Sequence, residues 1–344
     1  MKLGLMLGYS VKRMSVPIDL IQGAEQLGYD SVWIAETWGS DAVSVAAWIL
    51  AQTSRLRVGT AIMQVPARTP ANTAMSAMSL AQLSNGRFIL GLGASGPQVV
   101  EGWHGVGYQR ALTRLRECIE IVRLVMAREG PVEYDGKVYQ IPYRGEGATG
   151  LGKPLKSILQ ADTTIPIYTA SFTPAGFRLS AEIADGFFPA FMSPDKMDFI
   201  LEELEKGFAK AGGGKGFADF DIAPAVGVQM GDDLDKCRLP VKQMLALYIG
   251  GMGAKSKNFY NDFAVKMGYS DAAAQLQELY LNGKQREAIA AVPDELVDEV
   301  ALVGPAERIA ERAQAWLAKS DYIKTMLFSV QQPEVLPVLK KIFS

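Results

Sequence analysis

The chain has 344 residues, of which 49% are hydrophobic, so it can bury a large core as one large domain or two modest ones. A formal net charge of −2 with 21% charged residues gives no electrostatic basis for binding nucleic acid or an anionic membrane. The single histidine, His104, argues against a multi-histidine metal site and against mechanisms that need a histidine pair.

The two cysteines, Cys118 and Cys237, lie far apart in the sequence and lack the spacing of metal ligands. Cys118 falls in a predicted helix, so we expect a reduced, buried thiol and a cytoplasmic protein. The N-terminal apolar run is too short for a signal peptide, and no run is long enough to span a membrane.

Strand and helix signals alternate along the chain. Several predicted helices open at a capping residue followed by proline, as at Thr69 and Thr173. The predicted strands are Lys2–Leu7, Ser31–Ala35, Leu56–Met63, Arg87–Leu92, Ile165–Ala170, Gly186–Pro189, Asp221–Met230 and Tyr322–Val330. Strands that alternate with helices in this number predict a single α/β domain over residues 1–344, a (β/α)8 TIM barrel.

Two stretches depart from the alternation. Residues 130–162 begin with a hairpin-like run around an Asp135-Gly136 turn, and residues 233–292 are mostly helical without an obvious strand. We interpret both as insertions into the barrel. The alternative fold is an open doubly wound sheet, whose glycine fingerprint matches only weakly after the fourth strand, without an acidic residue placed for a ribose.

Candidate site residues follow the strands, because chemistry in such barrels takes place at the carboxyl ends of the strands. Glu36 follows the second strand as a candidate site carboxylate, whereas Asp41 fits a helix cap. Ala94 and Ser95 follow the fourth strand and are small enough for the backbone to approach a planar ring, although a tight turn explains them equally well.

The fifth strand ends at Ala170, and Ser171 and Phe172 lead into the helix opened by Thr173. Backbone N–H groups at such a helix start bind phosphate readily, but an ordinary helix cap has the same sequence. His104 lies in a glycine-flanked loop beyond the fourth strand, where it either supplies a proton to a substrate or simply faces solvent. The residues alone therefore predict an apolar, phosphate-binding barrel mouth without assigning a reaction.

Several segments resemble the luciferase-like flavin and deazaflavin superfamily. The closer likeness is to actinobacterial coenzyme F420-dependent oxidoreductases and to methylenetetrahydromethanopterin reductase. The segments that resemble the superfamily are residues 28–33, 57–62, 83–93 and 184–186, and those that resemble the actinobacterial subgroup are residues 246–253 and 292–298. The resemblance implies a (β/α)8 barrel with insertions, which agrees with the fold predicted from the strand pattern.

The resemblance also implies where a deazaflavin would bind. A non-prolyl cis peptide would lie under the ring, and the matching bond joins Ala61 to Ile62. Thr37 stands where the sugar-phosphate dehydrogenase branch has a histidine, so that branch's substrate is not expected. The residues that match cofactor contacts in the family are Glu36, Thr37, Ala61, Ile62, Ala94, Ser95, Ala170, Ser171 and Phe172.

The resemblance implies an oxidoreductase that transfers a hydride between coenzyme F420 and an unidentified small organic substrate. Glu36, Glu101 and His104 are the candidate catalytic groups, since hydride addition leaves an anion that needs a proton. Two alternatives stay open because a fold does not settle a function: an FMN-dependent luciferase-like monooxygenase and a non-enzymatic flavin- or deazaflavin-binding protein. We expect a homodimer that binds a small molecule, without a metal, nucleic acid or membrane partner.

Overall fold

A computed structural model describes residues 1–9, 12–161, 164–253 and 256–344. The strands are β1 (Lys2–Leu7), β2 (Ser31–Ile34), β3 (Arg57–Thr60), β4 (Met63–Gln64), β5 (Phe88–Gly93), β6 (Tyr134–Asp135), β7 (Gln140–Ile141), β8 (Ile167–Ala170), β9 (Gly186–Phe188), β10 (Asp221–Ile222), β11 (Ala225–Met230), β12 (Ala301–Gly304) and β13 (Thr325–Ser329).

The α-helices cover the outside of the strands. They are α1 (Ile18–Gln26), α2 (Ala42–Gln52), α3 (Pro70–Leu83), α4 (Pro97–Gly102), α5 (Ala111–Ala127), α6 (Pro174–Ile183), α7 (Asp198–Ala211), α8 (Leu234–Leu245), α9 (Phe259–Lys266), α10 (Ser270–Leu281), α11 (Gln285–Ala290), α12 (Asp294–Val300), α13 (Ala306–Leu317) and α14 (Val335–Phe343). None of the helices in the described ranges is long and apolar enough to cross a membrane.

The main sheet is parallel and runs β10-β9-β8-β5-β3-β2-β1-β13-β11-β12, with β4 also paired to β5. The ring closes because β10 and β11 form one bent segment: Asp221 pairs with Gly186 in β9, and Ala225 pairs with Leu327 in β13. Since β3 and β4 share one position and β10 and β11 share another, the described residues supply eight positions of a (β/α)8 barrel, as predicted.

The structure adds one strand that the sequence pattern does not reveal. β12 pairs only with β11, at the outer side of the ring, in the register Gly227 opposite Ala301. Its four residues Ala301–Gly304 are all buried but follow α12 directly, without a turn signal that separates strand from helix. A buried run this short cannot be distinguished from the end of a helix by its periodicity.

The two stretches set apart as insertions differ in structure. Residues 130–161 carry the antiparallel hairpin β6–β7, in which Tyr134 pairs with Ile141. Residues 233–292 carry α8 to α11, with a π-helical segment at Ala246–Gly251. Residues 162, 254 and 255, which belong to these predicted insertions, lie outside the described residues.

Local sequence explains the helix starts that face the barrel mouth. The Asp41 carboxylate accepts the N–H of Ser44 at 2.7 Å and caps α2, which confirms the predicted cap. Thr69 caps α3 and Thr173 caps α6 in the same way, and proline follows each at the first helical position. These caps fix the loops that lie between the strand ends and the helices.

Candidate functional site at the barrel mouth

Aromatic rings fill the interior of the barrel below the mouth. Trp33, Tyr168 and Phe188 are buried and contact one another, with ring centroids 4.9 to 5.3 Å apart. Four partly buried apolar residues pack on this layer: Met6, Ala61, Ile62 and Ala170. They make an apolar floor, defined by these four residues, that could lie against one face of a flat ring.

The Ala61–Ile62 peptide bond in this floor is cis, as the family resemblance predicts. It separates β3 from β4, so the predicted strand Leu56–Met63 is interrupted at this point. The neighbouring strand β5 accommodates the bulge with glycines. A Cβ on Gly91 would lie 1.7 Å from the Thr60 carbonyl oxygen, and one on Gly93 would lie 2.7 Å from Ile62 Cδ1.

The carboxylate of Glu36 is held by four donors. Arg68 donates to both oxygens, at 2.7 and 2.9 Å, and the backbone N–H groups of Ala42 and Gln64 donate at 3.0 and 2.9 Å. Its side chain is only 6% exposed. Arg68 also pairs with Asp41. This geometry favours Glu36 as a group that positions β4 and α2 rather than as a donor or acceptor of protons.

Gln64, at the end of β4, connects this ion pair to the histidine. Its side chain is buried, 2% exposed, and its amide nitrogen donates to the Thr37 carbonyl oxygen at 2.6 Å. Its amide oxygen lies 3.0 Å from His104 Nε2. The sequence did not single out Gln64 as a site residue, because nothing in the local sequence marks a contact between residues 40 positions apart.

The segment after β5, which includes the short helix α4, carries Ala94, Ser95, Glu101 and His104. Ser95 has a positive φ of 61° and its carbonyl oxygen accepts the Tyr108 hydroxyl at 3.3 Å. Glu101 is exposed, and its carboxylate accepts the N–H of Tyr108 at 3.1 Å. His104 is half-buried, so of the two titratable groups His104 is the one enclosed at the mouth.

The loop after β8 lies where the sequence predicts an anion-binding corner. Thr173 Oγ1 accepts the N–H of Gly176 at 3.1 Å, and Ser171 Oγ accepts the N–H of Thr173 at 3.3 Å. A Cβ on Gly176 would lie 1.7 Å from Ser171 Oγ, so the loop packs tightly on the first turn of α6. Backbone N–H groups and the helix dipole at this corner could hold a phosphate.

An aromatic wall, formed by Phe172, Phe191, Tyr248 and Tyr260, stands beside this corner. Ring centroids are 4.3 Å apart for Phe172 and Tyr260 and 4.8 Å apart for Tyr248 and Tyr260. The Tyr9 and Tyr248 hydroxyls are 2.9 Å apart. Burial raises the pKa of the Tyr248 and Tyr260 phenols, so both stay protonated hydrogen-bond donors near neutral pH.

The aromatic wall was missed as a site by sequence reasoning, although a signal for it existed. Tyr248 lies in the segment 246–253 that resembles the deazaflavin subgroup, and residues Ala246–Gly251 form a π-helical turn. Such turns occur frequently at functional sites. The tight packing of Gly250 and Gly251 on Tyr280 of α10 fixes this turn, since a Cβ on either would lie within 2.7 Å of the Tyr280 side chain.

Comparison with known proteins assigns the family. The model of the luciferase-like monooxygenase family matches residues 2–320. A Mycobacterium tuberculosis protein with the provisional name coenzyme F420-dependent oxidoreductase is 44% identical over 322 residues, 92% of each chain. The 5,10-methylenetetrahydromethanopterin reductase of Archaeoglobus fulgidus is 27% identical over 84% of this chain and 82% of the relative.

A solved structure shows the same fold. The coenzyme F420-dependent tetrahydromethanopterin reductase of Methanopyrus kandleri superposes with a TM-score of 0.77 at 20% identity, and the match covers 99% of this chain and 97% of that one. The sequence matches cover nearly the whole chain, and the barrel is shared. The protein therefore belongs to the luciferase-like monooxygenase family, in the subgroup that includes the mycobacterial relative named as a coenzyme F420-dependent oxidoreductase.

Proposed function

We propose that the protein is a coenzyme F420-dependent oxidoreductase that transfers a hydride between the cofactor and a small organic substrate at the barrel mouth. One observation carries the proposal: the 44% identity to the F420-named mycobacterial relative extends over 92% of both chains. When bound, the cofactor would supply two-electron hydride chemistry from a flat deazaflavin ring, and its side chain carries a phosphate.

The residues at the mouth fit such a group. Ala61 and Ile62, with the rest of the apolar floor, would lie against the ring. Ser171 and the first turn of α6 would hold the phosphate. Ala94 and Ser95, at the end of β5, would contact the edge of the ring and the chain attached to it, as in the family. The aromatic wall would then border the space left for an apolar substrate.

His104 is the proposed proton donor. A substrate that gains a hydride becomes an anion, and the imidazolium of His104 would give that anion one proton and become neutral. Solvent water would return the proton to the imidazole afterwards. In the opposite direction the neutral imidazole would accept the proton. Glu101 is the alternative donor, but its exposed carboxylate already accepts a backbone N–H.

Oxygen consumption distinguishes this function from that of an FMN-dependent monooxygenase. Deazaflavin transfers hydride without readily activating oxygen, so turnover should proceed under anaerobic conditions and consume no oxygen. Turnover that requires oxygen and FMN would overturn the proposal. Binding of F420 without turnover on any of a broad panel of carbonyl and unsaturated compounds would favour a binding protein instead.

We further propose a cytoplasmic homodimer. Both cysteines are free and buried, which suits a reducing compartment. Large apolar side chains are exposed on α3 and the adjoining insertion: Leu83 is 83% and Ile158 97% exposed. These elements are neighbours, since the Gln82 side chain bonds the Gln160 carbonyl oxygen at 2.5 Å. A second copy that covers this patch would bury it, and light scattering on wild type and Ile158→Glu would test this.

A further inference from the structure

We propose that Gln64 is the positioning residue for His104: its side-chain amide keeps a proton on Nε2 and thereby makes Nδ1 the atom that exchanges a proton at the mouth. The inference rests on the proposed function for the claim that this proton goes to the substrate. It rests on geometry alone for the tautomer.

The orientation of the Gln64 amide follows from its two partners. A backbone carbonyl oxygen can only accept a hydrogen bond, so the group 2.6 Å from the Thr37 carbonyl oxygen must be the amide NH2. The amide oxygen therefore faces His104 Nε2, at 3.0 Å. The opposite orientation of the amide would place two oxygens against each other at the Thr37 carbonyl.

The orientation of the amide decides the state of the imidazole. An amide oxygen cannot donate, so His104 Nε2 must carry a hydrogen in the neutral ring as well as in the imidazolium. Nδ1 has no hydrogen-bond partner within the part of the chain that the structure describes. The ring can therefore gain or lose a proton only at Nδ1, and it can do so without breaking its bond to Gln64.

Gln64 can hold the ring because it is itself fixed by two hydrogen bonds and by burial. Its backbone N–H donates to Glu36, its amide NH2 donates to Thr37, and the residue is 2% exposed. Glu36 is fixed in turn by two hydrogen bonds from Arg68. This chain of contacts gives the Glu36–Arg68 pair an indirect link to His104, through the strand β4 that carries Gln64.

The single histidine makes the test direct. In protein labelled with 15N-histidine, with any affinity tag removed, every imidazole nitrogen signal belongs to His104. Two-bond 1H–15N correlation spectra recorded above the titration of the ring should show one neutral tautomer, protonated at Nε2. A mixture of tautomers, or a neutral ring protonated at Nδ1, would overturn the inference without any variant.

A variant then shows whether Gln64 or the intrinsic preference of the imidazole sets the tautomer. Gln64→Met removes the acceptor and should give averaged signals from both tautomers, because neither ring nitrogen then has a fixed acceptor. Gln22→Leu is a matched control, because Gln22 also donates to a backbone carbonyl, that of Gln52, but far from His104. Wild-type signals in Gln64→Met would contradict the inference.

Turnover distinguishes this inference from the proposed function. If His104 is the proton donor, Gln64→Met should lower kcat about 10- to 100-fold, the cost expected for a misplaced catalytic group, with little change in the KM for F420. If Gln64→Met shows signals from both tautomers but an unchanged kcat, the positioning role of Gln64 stands and His104 is refuted as the proton donor. Unchanged spectra would refute the positioning role, whatever the rate.

Discussion

Arg68 binds Glu36 through two hydrogen bonds of 2.7 and 2.9 Å, in a setting where the two side chains are 15% and 6% exposed. The pair joins the end of β2 to the loop before α3, and Glu36 also accepts the backbone N–H groups of Ala42 and Gln64. Glu36, singled out in the sequence as a site carboxylate, is therefore engaged by protein donors on both of its oxygens.

Glu36→Ala should destabilise the fold by about 3 kcal/mol, because it leaves two backbone N–H groups without their acceptor and leaves Arg68 with Asp41 as its remaining ion-pair partner. Asp30→Ala is the matched control. It breaks an ion pair with Arg57 whose side chains are 28% and 29% exposed, and it should cost no more than about 1 kcal/mol. Urea denaturation of both variants measures the difference. Equal losses would show that the Glu36–Arg68 pair has no special structural role.

Gly93→Ala should weaken the binding of F420. The new Cβ would lie 2.7 Å from Ile62 Cδ1, so the Ile62 side chain must move out of the apolar floor. Gly23→Ala, in α1 with open space around its Cβ position, is the control and should leave cofactor affinity unchanged. Fluorescence titration with F420 provides the measurement. Wild-type affinity in Gly93→Ala would place the ring away from Ile62.

Ser171→Ala should weaken F420 about ten-fold, a loss of about 1.4 kcal/mol, by removing one hydroxyl from the anion-binding corner. The same variant should bind the deazaflavin nucleoside, which lacks the phosphate, as tightly as wild type. Ser193→Ala is a matched control, because Ser193 and Ser171 each accept the N–H two residues ahead at 3.3 Å. Equal weakening of both ligands by Ser171→Ala would contradict a phosphate contact.

His104→Ala should lower turnover about 10²-fold, the contribution typical of a general acid, while changing F420 affinity little. Glu101→Gln is the companion variant, since Glu101 lies in α4, three residues before His104, and accepts the N–H of Tyr108. Its turnover should stay within a few-fold of wild type. Steady-state rates of both variants on the same substrate decide the matter. The reverse order of losses would assign the proton to Glu101.

The sequence predicted the barrel because its strands are short apolar runs, each followed by a helix with its own start signal. β8 and α6 illustrate this: Ile167–Ala170 is buried at three of its four positions, and Thr173-Pro174 opens the helix that follows. The cis bond at Ala61–Ile62 was predicted from family resemblance rather than from the residues, because no local pattern in a strand distinguishes a cis peptide.

The contacts that give the mouth its chemistry could not be predicted in this way. Glu36 and Arg68 are 32 residues apart, Gln64 and His104 are 40 apart, and Tyr9 and Tyr248 are 239 apart. Each pair meets only because the barrel brings different strand ends together. Gln64 lies between the buried apolar residues Met63 and Val65, so its role in the site cannot be recognised until its partners are known.

Cofactor preference tests the central claim most directly. Fluorescence titration of the purified, cofactor-free protein with coenzyme F420 and with FMN, under the same conditions, measures both dissociation constants. Because the protein is proposed to be an F420-dependent oxidoreductase with a deazaflavin on its apolar floor, F420 should bind more tightly than FMN. Tighter binding of FMN would contradict the account and favour the monooxygenase function.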